Sequence, residues 1–354
     1  MKNNAGIFLL LLLLTYSSCT SIHRFAVDVQ EPASVTLPVS AQNVLILNNS
    51  VVQPKNYGID RTFAGQSIPA NYPLSLDSTV WSAMDEIAAV LNESGFFKTI
   101  STYRAPLRTD DEWLSVADLS PELQSDFYDT ENYDALLVIN RLLFTVKEDV
   151  KKIEQSIFSA DPAAFVDLHA EGILTCSMYA YGKEKPLTTF TVSDSLFMKS
   201  AVLIDSTVLF TEIPEYILHE LSHIVGNHAA MHLIPTWNTT ERTLFTGRNA
   251  RMREAAGYAA NHQWVKAESI WKTELEKLTK PNDKAKIAFN LATADEMQDK
   301  FESAQVWAQK AKKYFEDAGK NNDSEELKLS NQYISELERR IKNNHLLDLQ
   351  WGKE

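Results

Sequence analysis

Residues 211–237 read TEIPEYILHELSHIVGNHAAMHLIPTW, and they separate two textures of chain. Before them apolar residues alternate as in strands; after them the pattern is helical. The stretch itself is marked as a helix. Thr211 can cap the N-terminus, Glu212 and Glu215 suit the positive end of the helix dipole, and Pro214 fits a first turn. Pro235 stops it, because proline supplies no N–H and its ring clashes with the turn before. At about 100° per residue, Ile217, Leu221, Ile224, Val225, His228 and His232 form one stripe. His219 and His223 fall on the opposite side with Gly226 and Ala230.

The string HELSH at 219–223 is the one stretch that looks catalytic. An HExxH string puts two histidines one turn apart, where both can reach one Zn²⁺, with the glutamate beside them as general base. On that reading His219 and His223 are metal ligands, Glu220 is catalytic, zinc is the cofactor and the protein is a metallopeptidase. The wheel argues against it. If the apolar stripe packs on a sheet, the histidine pair faces water. His228 points about half a turn away, so it is no third ligand on a straight helix. The metzincin pattern needs histidine where Ala229 stands, and the carboxylates left, Glu241 and Glu254, sit in no motif. Such strings also arise by chance. The preferred reading assigns no catalytic, cofactor or metal residue and keeps the peptidase as the alternative.

Working outward, Lys2 precedes an apolar run from Ile7 to Leu14, too short to cross a bilayer and suited to a secretion signal. Ser17 and Ser18 before Cys19 resemble the bacterial lipobox, which implies cleavage before Cys19 and lipidation of its sulfur and new amino group. The alternative is an ordinary signal peptide cut nearby. Residues 1–18 are then the signal and 19–34 a lipid-anchored tether. Thr20 is not Asp and no acidic run follows, which points to the periplasmic side of an outer membrane. Cys176, the other cysteine, alternates with Leu174, Met178 and Ala180 on an apolar strand face and reads as core. A net charge of −13 with no basic cluster excludes nucleic acid as a partner.

Residues 35–237 read as an α/β domain. NVLILN at 43–48 and ALLVINRLLFTV at 135–146 are buried strands. Between them a helix over 78–94 carries Trp81, Met84, Ala88 and Leu91 on one stripe, capped by Asp77 or Ser78 and ended by Gly95. A strand, a helix and a strand in that order imply a parallel crossover. Residues 103–132 are acidic and turn-rich, with a short helix opened by Ser120 and Pro121. The charged residues 147–162 read as a loop. Long alternation over 165–181, a turn at 181–186, and Thr188, Phe190 and Val192 beyond it make a β-hairpin, with His169 on the wetted face.

Residues 238–354 carry a helical repeat. Trp264 and Phe301 stand 37 positions apart, as do Ala267 and Ala304. An aromatic with a small residue three places later, where two helices cross closely, is the tetratricopeptide (TPR) device, although the usual spacing is about 34. Tyr258, Trp271, Asn290, Leu291 and Ala311 fall at its packing positions, and Leu327, Ile334, Leu337 and Ile341 stripe a capping helix. Two repeats make core first and only a small concave groove. The fold class is thus α+β followed by α: a mixed α/β sandwich domain, strand–helix–strand–hairpin–helix, and then TPR-like hairpins.

The lipobox, NVLILNNSVVQPKNYG at 43–58, YDALLVINRLLF at 133–144, TFTVSDS at 189–195, PTW at 235–237 and AGYAANHQWVKAESIW at 256–271 together resemble an uncharacterised family of Bacteroidetes lipoproteins. That resemblance covers nearly the whole mature chain. It implies an N-terminal domain of unknown function followed by TPR-like repeats, with no assigned activity. HExxH is not part of that family's pattern, so the string is a departure. More loosely, the order of elements is similar to periplasmic lipoprotein domains that bind envelope assembly partners. The expectation is a non-enzymatic outer-membrane lipoprotein, held to the membrane by lipid on Cys19 and binding an envelope protein through its helical repeats.

Overall fold

The computed structural model describes residues 22–55, 57–63, 65–67, 76, 78–130, 132–152, 163–203, 215–247 and 249–353. Cys19 and the whole signal stretch lie outside them, as do Thr211, Glu212, Pro214 and Asp77. The chain divides into two compact units. One is made of Pro32–Thr236 with Leu347–Glu354; the other joins the N-terminal residues up to Glu31 with Trp237–Leu346. The architecture is a mixed α/β sheet region followed by a run of helices.

In the sheet unit, β2 (Asn43–Asn48) is buried on both sides because layers cover both sheet faces. β2 pairs in parallel with β5 (Thr99–Tyr103) on one side and with β6 (Ala135–Lys152) on the other. β6 then pairs antiparallel with β7 (Ala163–Ala180), and β7 with the edge strand β8 (Thr188–Leu203). The far half of β6 takes β3 (Ile59–Phe63) in parallel beside it, and β3 takes the short β4 (Gln66–Ser67). From β2 the chain passes through β3, β4 and the helix α1 (Thr79–Ser94) before it returns to pair β5 in parallel with β2. The strand reached after the helix is thus one absent from the sequence reading, with β6 on β2's other side. Gly95 ends α1 at φ 64°. Ser120 accepts from the Leu123 N–H at the start of α2 (Pro121–Ser125).

Asn140 is the extra residue of a bulge in β6, since Ile139 faces Cys176 and Arg141 faces Thr175. The bulge shifts the alternation, so that Leu137 and Ile139 before it and Leu142, Phe144 and Val146 after it all reach one core. Residues 147–152, read as loop, continue the strand. Charge misled that reading: Lys147 is exposed, but Glu148 turns inward and meets its register partner Arg61 at 3.0 Å, both side chains fully covered. Residues 153–162 of the expected loop lie outside the described residues.

Between the end of β2 and the start of β3, Gln53 stands in for a strand. Its Oε1 accepts from the Phe144 N–H at 2.7 Å and its Nε2 donates to the Phe144 carbonyl at 3.1 Å. A buried backbone pair is satisfied by one side-chain amide.

The stripe on α1 is rotated from expectation. Met84 and Leu91 are buried and Ala88 half-buried, but Trp81 is 43 % exposed, and Ala83 and Ile87 take the core side. The cause is a second helix, α3 (Glu215–Met231), packed along α1.

In the helical unit, β1 (Ile22–Glu31) pairs with β9 (Thr236–Phe245), and α4 (Ala250–Ala260), α5 (Trp264–Lys277), α6 (Pro281–Glu296), α7 (Phe301–Asp317) and α8 (Glu325–Gln350) follow. Two earlier readings change here. Residues 22–31 are a strand and not a tether, and the helical region opens with a strand. The partner of each segment lies more than 200 positions away, as Thr239 donating to Asp28 illustrates. No local pattern reveals such a pairing.

Candidate functional site

The HELSH residues sit on α3 between two packed surfaces. Leu221 and Val225 pack on Gly172 of β7, with Ile217 and Leu218 also buried. Ala229, Ala230 and Leu233 are buried as well, while Ile224 is half-buried and His228 exposed. The apolar stripe is therefore wider than the wheel gave and reaches round to the supposed polar side. His232 stacks on Phe190, ring centroids 5.0 Å apart.

The other surface is α1. Gly226 lies so close to it that an added Cβ would stand 2.7 Å from the Ala83 carbonyl oxygen. Around that contact both histidines reach across to α1, and the His223 side chain remains 44 % exposed. His219 Nδ1 is 2.7 Å from the Ser82 hydroxyl and its Nε2 3.4 Å from Ser78 Oγ. His223 Nδ1 is 3.2 Å from Glu86, which also accepts from Asn227. Glu220 is exposed beside them. Ser82 and Glu86 were missed from the sequence; they stand one turn apart, and that spacing on α1 was the available signal.

Of the carboxylates considered as third ligands, Glu254 pairs with Arg251 at 2.7 Å and Glu241 lies 4.0 Å from Arg24. Among the described residues no three of His, Cys, Asp and Glu gather as a group that could hold a metal ion. What the geometry shows on this face is hydrogen bonding between two helices.

Elsewhere in the sheet unit, a cleft of about 340 Å³ lies between α2 and the β7–β8 turn, lined by Gln124, Tyr128, Asp129, Tyr181 and Glu184 among others. Tyr128 meets Tyr181 edge-on at 5.4 Å. Burial raises its phenol pKa, helped by neighbouring Tyr179. Cys176 is fully buried, and burial raises its thiol pKa, which suits packing and not nucleophilic attack. His169 is exposed on the outer sheet face.

In the helical unit the repeat residues fall as follows. Ala267, Trp271 and Leu291 are fully buried in one cluster with Trp264, and Tyr258 packs partly against it. Ala304 and Ala311 are fully buried in a second cluster, and Phe301 is buried beneath Arg340. Leu327 and Leu337 are buried along α8, with Ile334 and Ile341 half-buried.

α6 joins these clusters. Ala285, Ala288 and Ala292 serve one, Ile287, Leu291 and Ala294 the other, and Asn290, Thr293 and Glu296 form a buried polar stripe between. That stripe is covered by β9. Asn290 accepts from the Phe245 N–H and donates to its carbonyl, both at 2.8 Å, and Thr293 donates to the Thr243 carbonyl. Glu296 takes two hydrogen bonds of 2.7 Å from Arg242, one of 2.6 Å from Tyr333 and another from Arg340. Burial alone would raise the Glu296 pKa, but these donors hold the carboxyl below its ordinary range. One inner face of the repeat thus grips an extended segment of its own chain.

Family comparison also finds two segments, with the boundary after β9 and not before it. A domain of unknown function, DUF8603, matches residues 41–245, and a second, DUF6340, matches residues 253–339. No curated protein matches the chain. Among solved structures, protein XCC0632 from Xanthomonas campestris, assigned to DUF330, is similar at 12 % identity over 57 % of this chain and 86 % of its own, with a TM-score of 0.21. A putative neuraminyllactose-binding hemagglutinin homolog from Helicobacter pylori is similar at 11 % identity over 56 % and 83 %, with a TM-score of 0.23. Likeness at that level carries no functional argument, and no enzyme family is identified. The first of the two domain matches spans more than half of the chain, including the sheet, both helices packed together on it and β9, and the chain belongs to the DUF8603 family.

Proposed function

We propose that this protein is a lipid-anchored component of the cell envelope that works by binding another protein, without catalysis. The observation that supports it most is the engagement of His219 and His223 with Ser82 and Glu86 of α1. A zincin needs those two imidazoles aimed at one open position, with a third ligand and a water. Here they are spent on a helix–helix contact. Cys19 supplies the anchor, and the lipobox flanks favour the periplasmic side of an outer membrane. The repeats supply the partner surface. Since β9 covers the polar stripe of α6, that surface is formed by outward helix faces, such as the one carrying the exposed Val306.

The test is the zinc content of full-length protein purified without chelator, beside His219→Ala and Glu220→Gln variants. We expect substoichiometric zinc that does not change with His219→Ala. One zinc per chain, lost with His219→Ala, and peptidase activity lost in a folded Glu220→Gln protein would overturn the reading.

A further inference from the structure

We propose that one corner of the helical unit, the start of β1 with the α4–α5 turn, rests on a phospholipid surface; this rests on acylation of Cys19. Only three peptide steps separate Cys19 from Ile22, the first residue of β1, a reach of about 10 Å at full extension. Acyl chains on Cys19 fix its backbone in the headgroup layer, which is itself roughly 5–8 Å deep on each side of the hydrocarbon. No free tether remains, and the element holding β1 must meet the bilayer.

The side chains there suit that partner. Ile22 is 42 % exposed. His23 stacks toward Phe25 at 6.3 Å, and Phe25 lies 5.7 Å from Trp264 at the head of α5. The next residue, Val265, is 69 % exposed although it begins a helix whose other face is core. Arg24 projects into solvent, 4.0 Å from the exposed Glu241, and Lys266 lies over the Tyr258 ring at 5.4 Å. Apolar tips over an aromatic base, flanked by a guanidinium and an ammonium on long stems, fit a headgroup boundary. In a chain of net charge −13, local basic groups also draw the anionic lipids that the remaining surface repels.

The experiment uses the full acylated chain in phosphatidylcholine–phosphatidylglycerol vesicles. A polarity-sensitive fluorophore is placed at Val265→Cys and, in a second protein, at Val306→Cys, an exposed position on α7. Cys176 is fully buried and stays unlabelled. Mass spectrometry first establishes acylation of Cys19. The proposal expects a blue shift and loss of emission to lipid-borne quenchers at position 265, with neither at 306. Acylated protein that shows no quenching at 265, or equal quenching at both positions, overturns the docking while leaving the anchor intact. Protein without acyl chains overturns both.

Discussion

Gly226→Ala tests the closest contact in the sheet unit. The new methyl would lie 2.7 Å from the Ala83 carbonyl oxygen and 3.2 Å from both Ala83 Cα and Glu86 Cβ. Two of the three obstacles are backbone, so α1 and α3 must part by several tenths of an ångström. That parting also lengthens the Ser82–His219 and Glu86–His223 hydrogen bonds. Overpacking of this kind costs about 1–3 kcal/mol. The better helix propensity of alanine returns up to about 1 kcal/mol. The net expectation is a loss of about 1–2 kcal/mol, or roughly 2–8 °C in melting temperature for a unit of this size. Gly257→Ala on α4 is the control, because nothing lies within 4 Å of its would-be Cβ. There the propensity gain stands alone, and stability should rise by about 0.5–1 kcal/mol. Thermal unfolding of both full-length variants, followed by circular dichroism, reads the comparison. A gain from Gly226→Ala of the same sign and size as from Gly257→Ala would refute the close packing of the two helices.

Two further outcomes follow from buried polar groups. Because donors hold the Glu296 carboxyl below its ordinary range, its contribution to stability is present above the unfolded pKa, near 4.5, and is lost as pH falls from there through the lower folded value. Urea midpoints of the helical unit measured from pH 6 to pH 3 should drop across that window, and Glu296→Gln should be less stable at pH 6 with a flatter profile. Gln53→Leu should leave the Phe144 N–H and carbonyl unpaired within the sheet and lower stability by about 1–3 kcal/mol, measured by urea denaturation; an unchanged midpoint would mean that the amide does not serve as a strand there.

Several features were legible in the chain because their signal is local. NVLILN announced a strand covered on both faces, and both faces are covered. The alternation over 165–192 announced a hairpin, the pair Ser120–Pro121 opened a short helix, and Gly95 closed a long one. In each case the backbone conformation or burial of a few neighbours fixes the outcome. The charged stretch 147–152 was misread because its inward member, Glu148, is neutralised by Arg61, which lies 87 positions earlier.

What the histidines of HELSH touch was decided by tertiary structure alone. The sequence by itself determined the helix, the one-turn spacing of His219 and His223, and the apolar stripe centred on Leu221. It could not say that a second helix would pack on the opposite face, since that depends on Gly226 meeting Ala83, which lies 143 positions earlier. Likewise the sequence marked alanines and aromatics for helix crossings, while only the fold brought β1 and β9 together and laid β9 along Asn290, Thr293 and Glu296. Periodicity is a property of neighbours within a turn or a pleat. The occupant of a face is set by whichever distant segment can satisfy its polar groups and fill its volume, and that is written in no single stretch of chain.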